Sequence, residues 1–476
     1  MAFTHGVYVE EVPTPITAVR EVDSALPFVV GVAPVHNLPE GRERPVNQAR
    51  LIADFTEFVE TFGGLASGED PANFGLYDFA RVYFTLYGMS PAVFVNVFDP
   101  ETHYSTVSGE SVTFGADDQA HLAHRAVSNV VVKSQDGATT YTAGTDYTLE
   151  AASGTLTRLS GGAIPAGATV QVDYQYADPT KVTSAEVIGG VDAATDTRTG
   201  LELVEEVFPR FGKIVGLILA PGFSQDPTVA NVLIAKAELI NQHFKAMAYI
   251  DVPATVETPT EAVAFKQNFG SPHAVFFWPR VMEGNRPVWL SLHAAGLTAK
   301  VDWGNDGVPY ESPSNKELRV TGPEKVLLLQ EANYLNEQGV VTVHRMMTGW
   351  KLWGNRTAAF PENTDLKDAF IACRRMANWI ENNLVVNTWQ KVDLPINRRV
   401  VQGVADTANI WLNGLTGRGY LLGARVEFLE RDNPVTQLAN GKVVFRVYYL
   451  APPPAETITF LLEVDLQYFE EFFERR

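Results

Sequence analysis

The hydrophobic pattern of this chain changes character several times. Over residues 7–10, Val7 and Val9 alternate with Tyr8 and Glu10, which predicts one strand, and Pro13 and Pro15 then stop any regular element. From residue 27 the rhythm becomes strand and helix in turn. Apolar runs at 27–33 and 92–98 predict buried strands. Between them, residues 48–62 carry Ile52, Phe55, Val59 and Phe62 at helical spacing up to Gly63-Gly64, and 75–87 reads as a second helix closed by Gly88. The rhythm returns with strands at 213–220, 246–252 and 273–278 and helices at 227–244 and 260–268. Such alternation predicts a mostly parallel sheet covered on both faces.

Between about residues 103 and 182 the chain turns rich in Thr, Ser, Gly and Val and nearly loses Leu and Ile. Short strands are predicted at 130–133, 147–150, 154–159 and 169–176, with turns at Asp136-Gly137 and Gly161-Gly162. This stretch reads as a small β-sandwich set into a loop of the α/β domain, where insertions are tolerated. Further on, 366–384 predicts a long amphipathic helix, 407–415 another helix and 442–450 a strand, before Pro452-Pro453-Pro454 forces an extended break. Residues 457–468 then alternate almost strictly. Ile458, Phe460, Leu462, Val464, Leu466 and Tyr468 are apolar, with Thr457, Thr459, Glu463, Asp465 and Gln467 between them and Leu461 the one break. A strand of that length would extend about 40 Å. At a chain end it is either an aggregation hazard or half of an intermolecular pairing.

Composition narrows the function classes. The chain has 476 residues, 46% of them hydrophobic, enough for about three domains. A net charge of −19 argues against non-specific nucleic-acid binding, which needs clustered cations, and fits solubility. The single cysteine, Cys373, excludes an intrachain disulfide and reads as a buried thiol made in a reducing cytoplasm. The N-terminus lacks the basic and apolar regions of a secretory signal, and no apolar run is long enough to span a bilayer.

Catalytic patterns are incomplete. Gly222-Phe223-Ser224 follows a predicted strand, but position 226 is Asp where a nucleophile elbow needs Gly, so a turn is the expectation. His103, His121 and His124 lack the spacing and cysteine ligands of a zinc site. Residues 414–419 lack the Gly-Lys-Ser/Thr ending of a phosphate loop. Trp289, Trp303, Trp350 and Trp353 stand in contexts of core and interface rather than of a sugar platform. No cofactor and no metal are expected.

Several blocks, in order, carry a family likeness. They are His5-Gly6-Val7-Tyr8-Val9-Glu10-Glu11; residues 58–63 and 80–88; residues 218–222 ending Pro221-Gly222; and residues 303–315 ending Glu311-Ser312-Pro313-Ser314-Asn315. Leu335-Asn336 with Gly339-Val340 follows, then Leu352-Trp353-Gly354-Asn355-Arg356-Thr357, and Pro454-Ala455-Glu456 precedes the last predicted strand. With these blocks the chain resembles the contractile phage tail sheath family, shared with contractile bacteriocins and, more distantly, type VI secretion sheaths. The β-rich insert lies outside the resemblance.

The resemblance implies a structural subunit and not an enzyme. Hexameric discs would stack helically around an inner tail tube, assemble in the host bacterial cytoplasm, contact baseplate and tail terminator proteins, and contract to drive the tube through a target envelope. It also implies arms exchanged between subunits, at Val7 and Val9 in one and at Ile458, Phe460, Leu462, Val464 and Leu466 in the other; pairing within the chain is the alternative. Helical spacing puts Lys367, Arg374 and Arg375 on or near one face. That face is expected either to meet an acidic inner tube or to be a polar face with partners inside the chain. The expected fold is thus α/β and α+β, multidomain: an arm (1–25), a central α/β sheath domain (26–103 and 183–345), an inserted, outward-facing β-sandwich (104–182) and a C-terminal α+β polymerisation domain with a strand arm (346–476). Competing expectations are an α/β hydrolase-like enzyme with an inserted binding module, and a scaffold whose insert is a glycan-binding adhesin.

Overall fold

The computed structural model describes residues 21–469, so the strand expected at Val7 and Val9 lies outside the described residues. An eight-stranded sheet forms the centre. Its order from edge to edge is Arg50–Ile52, Ala92–Asn96, Pro27–Gly31, Leu217–Leu219, Met247–Asp251, Ala274–Phe277, Val340–Met346 and Gly349–Trp353. The pairings are parallel except at the two edges, where the outermost strands run antiparallel to their neighbours. Pro27–Gly31, Ala92–Asn96, Met247–Asp251 and Ala274–Phe277 are buried at every position, as strands covered on both faces must be.

Local chemistry sets the helix starts. Thr258 and Glu261 cap Pro259–Lys266 reciprocally, and Asp226 caps Pro227–Glu238 with proline at its first position. Asp54 accepts a hydrogen bond from the Glu57 N–H and starts Phe55–Phe62 there. The helix expected from residue 48 therefore begins later, because Arg50–Ile52 pairs with Ala92–Phe94 as a sheet edge. The helix Leu290–Gly304 was not predicted. Every residue from Leu290 to Ala299 is buried, so it carries no polar stripe for periodicity to detect. Its N-terminus is capped from another strand: Asp251 accepts from the Ser291 N–H at 3.0 Å. Burial raises the Asp251 carboxyl to about 7.

Residues 104–177 form two antiparallel sheets with their own apolar cluster, which includes Val112, Val132, Leu156, Val170, Val172 and Tyr174. One sheet holds Tyr104–Thr113, Val127–Ser134, Thr140–Tyr141 and Thr169–Ala177; the other holds Gln119–His121, Tyr147–Glu150 and Thr155–Arg158. Tyr104 stands opposite Ala177, so the chain enters and leaves this module at adjacent points.

At the C-terminal end, helices Ile371–Thr388 and Arg398–Gly417 pack with the strands Gly423–Glu427 and Arg446–Leu450 around Cys373, Met376, Trp379, Trp411 and Leu412. The helix expected over 366–384 is interrupted at Phe370, which is extended and leaves Leu366–Ala369 as a separate turn. After Leu450 the next regular element is the 3-10 turn Leu466–Phe469. The strand expected over 457–468 pairs with no strand among the described residues, and Ile458, Phe460, Leu462, Val464 and Leu466 are exposed.

Candidate assembly site at the C-terminal hairpin

A two-stranded sheet is a marginal structure in water unless something covers it. Here Gly423–Glu427 pairs antiparallel with Arg446–Leu450, Val426 lying opposite Val447. In such a ladder alternate residues turn their backbone groups outward. Val426 is one of these, and Asn409 on the helix Arg398–Gly417 meets both of its groups: its amide donates to the Val426 carbonyl at 3.0 Å, and its oxygen accepts from the Val426 N–H at 2.8 Å. That edge is plugged. The other edge, along Arg446–Leu450, pairs with no strand among the described residues.

Both ends of the described residues are anchored in this module. The Val22 N–H donates to Asn383 at 3.0 Å, and the Val22 carbonyl accepts from the Trp379 indole at 2.9 Å. Glu21 accepts from the Trp411 indole at 3.1 Å and from Arg418 at 3.2 Å. At the other end the chain passes Ala451, which is buried in the same cluster, and Pro452-Pro453-Pro454.

Of the three cations weighed either for an inner-tube contact or for partners inside the chain, two are buried with intrachain partners. The Arg375 side chain is 2% exposed and forks onto Asp302, 3% exposed, on the helix Leu290–Gly304; one of the bonds is 2.9 Å. Ser24 donates to the same carboxylate at 2.5 Å, tying the start of the chain to the pair. Burial works against the Arg375 charge, but the Asp302 carboxylate outweighs it and holds the guanidinium above its ordinary value. Arg374 is 4% exposed, paired with Asp368 at 3.1 Å and Glu381 at 2.9 Å. The cause is packing: Arg375 turns onto the helix Leu290–Gly304, while Arg374, one position away, turns to carboxylates of its own segment. Lys367 alone is well exposed, and it pairs with Asp368.

The residues weighed for chemistry have structural surroundings. The Ser224 hydroxyl is buried and accepts from the Asp251 N–H at 3.1 Å. His124 stacks on Tyr176, ring centroids 3.7 Å apart, and stands 2.7 Å from the Tyr174 hydroxyl. Burial pushes the Cys373 thiol up to about 11, far from a reactive thiolate. Sequence reasoning missed Asn409, Asp302 and the pairing of Arg356 with Glu456. Each acts across a long sequence separation; Arg356 and Glu456 lie in blocks that carry the family likeness, but nothing local shows that they pair.

The described residues thus comprise a parallel-centred sheet, a two-sheet side module and a hairpin with one open edge, on which a further strand could pair. Comparison with known proteins gives the class. The family model for the phage tail sheath protein central domain matches residues 196–358, and one described only as a protein of unknown function matches 98–186. A tail sheath protein of Burkholderia phage BcepMu is 34% identical, covering 98% of each chain. A putative prophage major tail sheath protein of Pseudomonas aeruginosa is 31% identical over 64% of this chain and 79% of its own. Among solved structures, the sheath of the PVC extracellular contractile injection system in its contracted state superposes with a TM-score of 0.61 at 17% identity, covering 98% of this chain and 99% of that one. The contracted helical sheath of the anti-feeding prophage gives 0.60 at 16% identity, covering 98% of this chain and 100% of that one. The chain belongs to the phage tail sheath family, and it is a structural tail sheath subunit.

Proposed function

We propose that this subunit polymerises by exchanging arms, and that the polymer is a contractile sheath. Hexameric discs stack helically around an inner tube, the tail is assembled in the host bacterial cytoplasm, and it ends on baseplate and terminator proteins. Contraction drives the tube through the target envelope. The subunit catalyses no reaction; the work comes from the difference between two packings of the same rigid domains.

One observation carries the reading. The chain holds a hairpin with an open edge along Arg446–Leu450 and, a few residues on, an exposed alternating segment that pairs with nothing in its own chain among the described residues. An open edge and an unpaired strand-forming segment satisfy one another between copies through main-chain hydrogen bonds. The contact is heterologous and does not close on itself, so it propagates into a helix. Ile458, Phe460, Leu462, Val464 and Leu466 form one exchanged face, and Val7 and Val9 belong to the other arm. In this reading the N-terminal arm is 1–25, the central domain 26–103 with 183–345, and the polymerisation domain 346–476. Residues 104–182 are a β-sandwich facing away from the tube. Of the expected tube-facing cations, Lys367 is the one whose charge is accessible.

Electron microscopy of the purified chain at rising concentration tests this. Hollow tubes of uniform width are expected, and chains lacking residues 1–20 or 457–476 are expected to stay as discrete particles. Either truncated chain forming normal tubes would refute the arm exchange.

A further inference from the structure

We propose that Arg356 and Glu456 form a clip that aims the C-terminal arm, so that it leaves every subunit in one direction before it meets a second copy. The inference rests on the arm-exchange reading and names the residues that position the arm. The Arg356 guanidinium is held between two aromatic rings, 4.3 Å from the Phe360 centroid and 3.8 Å from the Phe370 centroid. It then donates twice to Glu456, from Nε to Oε1 at 3.0 Å and from Nη2 to Oε2 at 2.5 Å. A stacked guanidinium presents its fork in one plane, and a bidentate carboxylate has one orientation on it. The backbone beneath is fixed: Arg356 bridges Phe370, the Thr357 N–H donates to the Ala369 carbonyl at 3.1 Å, and the Ile371 N–H donates to the Asn355 carbonyl at 2.8 Å.

The partner segment is stiff. Ala451 is buried in the C-terminal cluster, and Pro452-Pro453-Pro454 restrict the backbone to an extended rod. Glu456 ends that rod on the clip. From Thr457 to Phe469 every residue is exposed. The clip thus sits where ordered chain becomes free arm. The Arg356 and Glu456 side chains are 18% and 34% exposed, and a pair this open contributes little to fold stability. Its effect lies in assembly, because an arm with a fixed root loses less conformational freedom on docking than one that swings.

The test uses the full chain as Glu456→Gln and Arg356→Lys. The first removes the ion pair; the second keeps the charge and loses the planar fork. Three readouts are taken: urea unfolding, the lowest concentration at which tubes form, and the distance distribution between spin labels at Asn333 and Thr459 below that concentration. Both variants are expected to unfold like the unmodified chain, to need about tenfold more protein to form tubes, and to show a broadened label distance. Assembly at the unmodified concentration with an unchanged distance distribution would overturn the clip. So would an unfolding transition shifted together with the assembly threshold, because the pair would then be acting on the fold. A chain ending at Glu456 separates the two claims. If it assembles normally, arm exchange is wrong; if it fails while Glu456→Gln assembles normally, only the clip is wrong.

Discussion

Replacing Arg375 with Ala removes one side of an ion pair in which both partners are almost inaccessible. Asp302 would keep the hydroxyl of Ser24 but lose both guanidinium donors, leaving a buried carboxylate without a counter-charge. Breaking one side of such a pair costs about 3–5 kcal/mol, whereas replacing both partners with apolar residues of similar size is often neutral or stabilising. The double change Arg375→Met with Asp302→Leu is therefore expected to be more stable than Arg375→Ala alone. The assay is urea unfolding followed by tryptophan fluorescence, since Trp379 lies one helical turn from Arg375. With slopes of about 2–3 kcal/mol per molar urea, the single variant should lose about 1 M or more in midpoint. Moderate salt should not restore it, because the pair is not screened by solvent. A single variant within about 1 kcal/mol of the parent would refute the reasoning, as would singles and double that simply add. A tube-contact role for Arg375 predicts the opposite: unchanged unfolding and impaired co-assembly.

Three further outcomes are expected. Glu283 stands among Arg81, Arg286 at 2.9 Å and His293 at 3.1 Å; burial alone would raise its carboxyl, but the close His293 ring and the Arg81 charge hold it down at about 2. It therefore contributes stability above its ordinary 4.5, up to about 3 kcal/mol, which is lost as pH falls from 4.5 toward 2. His293, which burial holds below its ordinary value, adds a loss of the same sign in acid. Acid unfolding curves of Glu283→Gln should be flatter over that window, and an unchanged slope would count against the cluster. Gly216→Ala places a Cβ 2.2 Å from the Ser24 carbonyl oxygen and should cost about 1–3 kcal/mol by displacing the backbone at Ser24, measurable as a lower denaturation midpoint. Asn409→Ala uncovers both backbone groups of Val426; a loss of about 1–3 kcal/mol and irregular aggregates by light scattering are expected, and clean tubes at full stability would contradict the plugged edge.

The buried parallel strands were legible in the sequence because a strand covered on both faces is apolar along its whole length. Met247–Asp251 and Ala274–Phe277 came out within two residues of their expected bounds. The helices with proline and acidic caps, and the change of composition at the two-sheet module, were legible for equally local reasons. Tertiary structure decided what depends on an unseen opposite face. Leu290–Gly304 is buried nearly all round, so periodicity, which reports a difference between faces, had nothing to report. Arg374 and Arg375 are neighbours on one helix, but only packing shows that Asp302 lies opposite Arg375 while Arg374 turns to Asp368 and Glu381. Residues 50–52 joined a sheet edge because backbone groups there had a partner, while 457–468 pair with no strand among the described residues. Strand pairing is a property of two segments, and one segment's pattern specifies only its own half.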